Sequence, residues 1–125
     1  MPIRVVLADD HTVVRQGLKM FLDLDPEIEV VGEAANGQEA VKLAEAEQPD
    51  VVVMDVVMPG MDGIAATEAL RALLPRCAVV IHSLHDDAKT EARALAAGAA
   101  AFVCKCAPAE ALLTAIRRVA APGSD

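Results

Sequence analysis

Val51-Val52-Val53-Met54-Asp55 decides the fold: four consecutive apolar residues, then a carboxylate. A strand with one wet face alternates apolar and polar residues, so an unbroken run reads as a strand covered on both faces. The same reading extends outward along the chain. Ile3–Ala8, Ile28–Ala34, residues 78–82 and Ala101–Cys104 are further runs of strand length, rich in Val and without clean alternation. Helix-length segments lie between them. Val14, Leu18, Phe21 and Leu22 fall on one face of a first helix, and Val41 and Ala44 do the same within Gly37–Glu47. Residues 62–73, 86–97 and 108–120 complete the set. In the last, Leu112, Ile116 and Val119 form the apolar stripe and Pro108 suits the first turn. Strand and helix alternate five times, which implies right-handed crossovers and a parallel sheet with helices on both faces.

Composition sets the outer bounds. The 125 residues suffice for one domain with one core, and 54% hydrophobic content excludes a disordered chain. The net charge of −8 and the two Phe, without Tyr or Trp, argue against this segment binding nucleic acid, which needs a basic surface and stacking rings. Charges interrupt every apolar stretch before the ~18 residues needed to span a bilayer. No signal peptide is evident, and the cytoplasm is the expected compartment. Cys77, Cys104 and Cys106 are odd in number and lack a C-x-x-C pair, so reduced thiols are expected, with no metal or redox role. Residues 1–120 read as one domain and 121–125 as the start of a linker.

In an open parallel α/β sheet, ligands bind beyond the carboxyl ends of the strands. Those ends carry Asp9 and Asp10 after the first strand, Asp55 after the third, Ser83 after the fourth and Lys105 after the fifth. Each has an ordinary explanation taken alone. Asp10 or Thr12 suits a helix cap, Ser83 a turn, and Lys105 a solvated surface. Asp55 resists such a reading, because a charge closing a buried strand needs a partner. Together, three carboxylates without a histidine favour a hard divalent ion such as Mg²⁺. A carboxylate beside that ion is a competent nucleophile toward phosphorus, with Lys105 and Ser83 on the oxygens of the transferred group.

These residues carry a resemblance. Asp9-Asp10, the run from Met54 through Asp55 and Pro59 to Gly63, Ser83, and Phe102-Val103-Cys104-Lys105 resemble the receiver domain of two-component response regulators over nearly the whole chain. The family has a flavodoxin-like (βα)5 fold with strand order 2-1-3-4-5. The segment from Ala8-Asp9-Asp10-His11 to Gly17-Leu18 further resembles the NarL/FixJ subfamily, which usually adds a helix-turn-helix DNA-binding domain that this chain lacks.

The resemblance implies that Asp55 accepts a phosphoryl group from a sensor histidine kinase. It implies Mg²⁺ held by Asp10, Asp55 and the Val57 carbonyl, with Asp9 acting through water, and Ser83 and Phe102 as switch residues. A phosphoacceptor switch is expected rather than an enzyme, with homodimer formation on phosphorylation left open, DNA reached only through the absent domain, and no membrane partner. Two departures stand out. Val57 is apolar where many relatives are polar, leaving His85 to orient an attacking water. Cys106 follows Lys105 where Pro is common.

The alternative is a receiver-like module that dimerises or docks without phosphorylation. An aspartyl phosphohydrolase is disfavoured because Val57 stands where such enzymes place a general acid. A flavin site lacks flanking aromatics, and His11, His82 and His85 lack the spacing of a zinc site.

Overall fold

The computed structural model describes residues 2–85 and 87–120. Ten elements alternate in order: β1 (Ile3–Ala8), α1 (Thr12–Asp23), β2 (Ile28–Ala34), α2 (Gly37–Glu47), β3 (Val51–Met54), α3 (Gly63–Leu73), β4 (Ala78–Ser83), α4 (Ala88–Ala96), β5 (Ala101–Cys104) and α5 (Ala109–Ala120). The five strands are parallel in the order β2-β1-β3-β4-β5, the expected doubly wound flavodoxin-like topology. The strand bounds match the sequence reading except that β4 runs one residue further, to Ser83. The expected start of the fourth helix at residue 86 and the expected linker 121–125 lie outside the described residues.

The period of two along each strand sorts the core into two layers. Val5, Leu7, Val51, Val53 and Val80 face α1 and α5, where they pack on Leu22, Leu112 and Ile116. Val6, Ala8, Val52, Met54, Val79 and Ile81 face the other way, onto Ala40, Val41, Ile64, Leu70 and Ala94 of α2, α3 and α4. This is why the strands read as continuous apolar runs. Among the described residues, no helix is long and apolar enough to cross a membrane.

Local chemistry sets the helix starts. Asn36 accepts a hydrogen bond from the Glu39 N–H at 2.9 Å, while the Glu39 carboxylate reaches back to the Ala35 N–H, giving α2 reciprocal caps. Asp62 caps α3 through the Ala65 N–H at 2.8 Å, and Asp87 caps α4 through Thr90. At α1 the ordinary reading of Asp10 or Thr12 as a cap does not hold: His11 occupies the cap position without a side-chain cap bond, and its N–H donates to Asp9 at 2.8 Å.

The cysteine expectation is also corrected: Cys104 and Cys106 are joined by a disulfide, and Cys77 is a buried thiol. Residues two apart in a strand lie about 6.6 Å from each other. Here β5 ends at Cys104 and the chain turns, with the Ala107 N–H donating to the Cys104 carbonyl at 3.0 Å. That turn brings the two Cα atoms to 5.1 Å, within bonding range for sulfur.

Gly63 begins α3 directly against the end of β3. A Cβ there would lie 1.9 Å from the carbonyl oxygen of Asp55, which is backbone and has little room to yield. Gly17, exposed in α1, has nothing within 4 Å of the same position. Gly63→Ala should therefore destabilise the domain by about 3 kcal/mol, and Gly17→Ala should stabilise it by about 0.5–1 kcal/mol. Urea unfolding of the two variants should move the midpoint in opposite directions; a shift of the same sign in both would contradict this packing.

Candidate functional site

Strand register delivers the site. Ala8 and Met54 are paired across β1 and β3, so Asp9 and Asp55 emerge side by side from the same edge of the sheet. Each is anchored through its backbone: the Asp9 N–H donates to the Ala34 carbonyl, and the Asp55 N–H to the Ala8 carbonyl, both at 3.0 Å. On the other side, Ser83 pairs with Cys104, and the Lys105 N–H donates to the Ser83 carbonyl at 2.8 Å. From there the lysine side chain crosses the strand ends. Its Nζ lies 2.6 Å from Asp9 Oδ2 and 2.9 Å from Asp55 Oδ2.

All three charged side chains are more than nine-tenths buried. Two buried carboxylates so close would repel each other by several kcal/mol, and the shared ammonium makes the arrangement tolerable. Burial works against the charged form of Asp9, but hydrogen bonds from Lys105 and the His11 N–H outweigh it and hold the carboxyl below its ordinary range. For Lys105, burial is likewise outweighed by bonds to Asp9 and Asp55, which raise its affinity for the proton. The remaining oxygen of Asp55 accepts the Val56 N–H at 2.7 Å, fixing the carboxylate plane.

Asp10 joins this group with its side chain partly exposed. Carboxylate oxygens of Asp9, Asp10 and Asp55 and one ring nitrogen of His11 all lie within 4.8 Å of one another. His11 is the residue that the sequence reading did not place here: its Nδ1 is 3.3 Å from Asp9 and 3.2 Å from Asp10. Its position next to Asp9-Asp10, at the start of α1, was the available signal. The donor set is mostly carboxylate oxygen and open to solvent on the Asp10 side, which fits a hard, partly hydrated cation. His11, His82 and His85 do not gather into one cluster among the described residues.

The other candidates lie around this centre. Ser83 is fully buried, and its Oγ accepts the His85 N–H at 3.0 Å. Phe102, on neighbouring β5, is half-buried against the α2–α4 layer. Val57 is 55% exposed, between buried Val56 and Met58.

His82 was not singled out for this site, yet it lines a small gap together with Asp9 and Asp55. Its Nδ1 is buried without a hydrogen-bond partner. Burial, reinforced by the Lys105 ammonium, pushes the imidazole down to about 4.

The fold and the charged cluster thus define a flavodoxin-like α/β domain with an acid–lysine site at the carboxyl edge of its sheet. Comparison with known proteins gives the family. The model of the response regulator receiver domain matches residues 5–117. The transcriptional regulatory protein LiaR of Bacillus subtilis is 47% identical over 92% of this chain and 54% of its own length. DegU of Brevibacillus brevis is 38% identical over 98% of this chain and 52% of its own.

Among solved structures, a LuxR-family response regulator from Aurantimonas sp. superposes with a TM-score of 0.92 at 34% identity, covering 96% of this chain and 86% of that one. The signal receiver domain of NarL from Mycobacterium tuberculosis gives 0.86 at 37% identity, covering 93% and 97%. The chain belongs to the response regulator receiver domain family of two-component systems. It spans about half the length of the curated relatives it matches.

The His82 environment has a consequence for stability. The unfolded chain takes up a proton on this residue below its ordinary value of 6.5, whereas the folded chain resists until about 4. Stability is therefore lost as pH falls through this window. Between pH 7 and pH 4.5 the wild type should lose about 2 kcal/mol more than His82→Leu. Urea titrations at the two pH values measure the difference, and equal losses would show that burial does not hold His82 neutral.

Proposed function

We propose that this domain accepts a phosphoryl group on Asp55 from a phosphohistidine of a sensor histidine kinase, with Mg²⁺ as cofactor. The modified domain then controls an output, namely transcription, through a DNA-binding domain outside this chain. The observation that carries the reading is the Lys105 ammonium, shared at 2.6 and 2.9 Å between Asp9 and Asp55 with the Asp10 cluster alongside.

Asp55 is the nucleophile. One of its oxygens bonds to phosphorus as the bond to the donor nitrogen breaks, leaving an acyl phosphate and a neutral donor imidazole once that nitrogen is protonated. The Val56 N–H holds the other oxygen still during the attack. Lys105 stays within reach of the new phosphoryl oxygens and balances their charge. Asp10, Asp55 and the Val57 carbonyl would hold Mg²⁺, with Asp9 acting through water. When bound, the ion supplies the positive charge that draws the phosphoryl oxygens toward the acids.

Ser83 is the switch hydroxyl. Its Oγ accepts the His85 N–H, which leaves its O–H to donate to a phosphoryl oxygen. Phe102, on the adjoining strand, then turns inward, which reshapes the surface of the last two βα units. His85, two residues after Ser83, would orient a hydrolytic water, a task that apolar Val57 cannot perform. Homodimer formation on phosphorylation belongs to the same reading.

Incubation with Mg²⁺ and a small acyl phosphate should add one HPO₃ group by intact mass. Asp55→Ala should gain none, chelation of the metal should abolish the gain, and Lys105→Ala should slow it by about a hundredfold or more. Modification of Asp55→Ala at the wild-type rate would overturn the assignment, and a wild type that never gains phosphate would favour a docking module that works without it.

A further inference from the structure

The residue that bridges the two acids is itself held inside a small covalent ring. Lys105 lies between Cys104 and Cys106, and the disulfide joining them closes the ring through its backbone. The ring is tied into the site through its backbone: the Lys105 N–H donates to the carbonyl of Ser83 at 2.8 Å. Within the ring, the Cys106 N–H donates to Cys104 Sγ at 3.0 Å. Whatever moves this turn therefore moves both the base of the lysine side chain and the strand end that bears Ser83.

The bond is also accessible. Cys106 is exposed and Cys104 half-buried, and accessible disulfides are the ones that exchange readily with external thiols. Cys77 does not compete. It is buried at the start of β4, at the opposite edge of the sheet, and burial pushes its thiol up to about 11, which leaves it inert. Disulfides in reducing compartments are commonly transient and redox-sensing.

We propose that the Cys104–Cys106 disulfide is a reversible switch on Lys105, and that the closed ring is the form that accepts phosphate faster. The inference rests on the phosphoacceptor reading of Asp55. Closing the ring removes backbone freedom at Lys105, so its ammonium is already in place when charge develops on the transferring group. Opening it lets the turn relax, and the lysine is placed less often.

Reduction by an external dithiol balances. One thiolate attacks the Cys106 sulfur and the Cys104 thiolate leaves. The second reductant thiolate then resolves the mixed disulfide, so two protein thiols and one reductant disulfide result. Oxidation is the reverse, with a low-molecular-weight disulfide such as oxidised glutathione taking the two electrons.

The test uses the whole chain, poised with oxidised glutathione or with dithiothreitol. Alkylation after denaturation should label one cysteine in the first case and all three in the second. Phosphate gain from a small acyl phosphate with Mg²⁺ should be about fivefold or more faster in the oxidised protein. The Cys104→Ser/Cys106→Ser double variant should show the slow rate under both conditions. Failure of the pair to oxidise, equal rates, a faster reduced form, or the same redox dependence in the double variant would each overturn the switch. If neither form gains phosphate, the Asp55 reading fails, and the ring is judged by the amide NMR resonances of Ser83 and Asp55. Shifts on reduction would sustain the coupling between ring and site, and unmoved resonances would end it.

Discussion

A single ammonium, nearly out of water, sits between two carboxylates that could not otherwise share the same edge of the sheet. Lys105 reaches Asp9 and Asp55 from a strand two positions away from β3, and its bonds span 96 and 50 residues of sequence. Breaking such a buried pair from one side typically costs about 3–5 kcal/mol, because the surviving charges keep their desolvation penalty. The rest of the fold is arranged to make that contact reproducible. Parallel register sets Asp9 beside Asp55, and the Lys105 N–H to Ser83 bond fixes where the lysine chain departs.

The two-layered core supplies the rigidity. Val51 to Met54 are almost wholly buried, alternate residues going to opposite layers, so β3 has no freedom to slide or tilt. A slip of one residue would turn both apolar sets inside out. Gly63 adds a local lock. Its N–H donates to the Val56 carbonyl at 2.8 Å while its missing side chain leaves room for the Asp55 carbonyl. The buried acid at the strand end is thus held from below by backbone, not by its own side-chain contacts alone.

This division explains what could be read in the sequence. Periodicity and strand-length apolar runs are local signals, and they set every element within a residue or two. The strand-end rule then collected Asp9, Asp10, Asp55, Ser83 and Lys105 at one edge without any knowledge of distance. What escaped was whatever depends on the path of a turn. His11 enters the acid cluster because α1 begins there without a side-chain cap. Cys104 and Cys106 meet because β5 stops and the chain bends, whereas a strand extended through both would hold their Cα atoms too far apart for the 5.1 Å observed. For His82 the sequence offers only a histidine without zinc-site spacing. Its burial with an orphaned Nδ1 comes from the gap below Asp9 and Asp55, which no pattern along the chain encodes.

Charge balance at the site carries the last step. Lys105 neutralises only one of the three acids that meet there, and its proton is held more firmly because it serves two of them at once. Among the described residues no lysine or arginine pairs with Asp10; its neighbour is the exposed His11 ring, 3.2 Å away. The cluster is therefore left with an excess of negative charge on its solvent side, and an anionic phosphoryl donor would approach against that field. A divalent cation seated among the oxygens would cancel that excess, so that approach would no longer be opposed and a new acyl phosphate would have two cations beside it. The same electrostatics that make the acids costly to assemble are what would make one of them receptive.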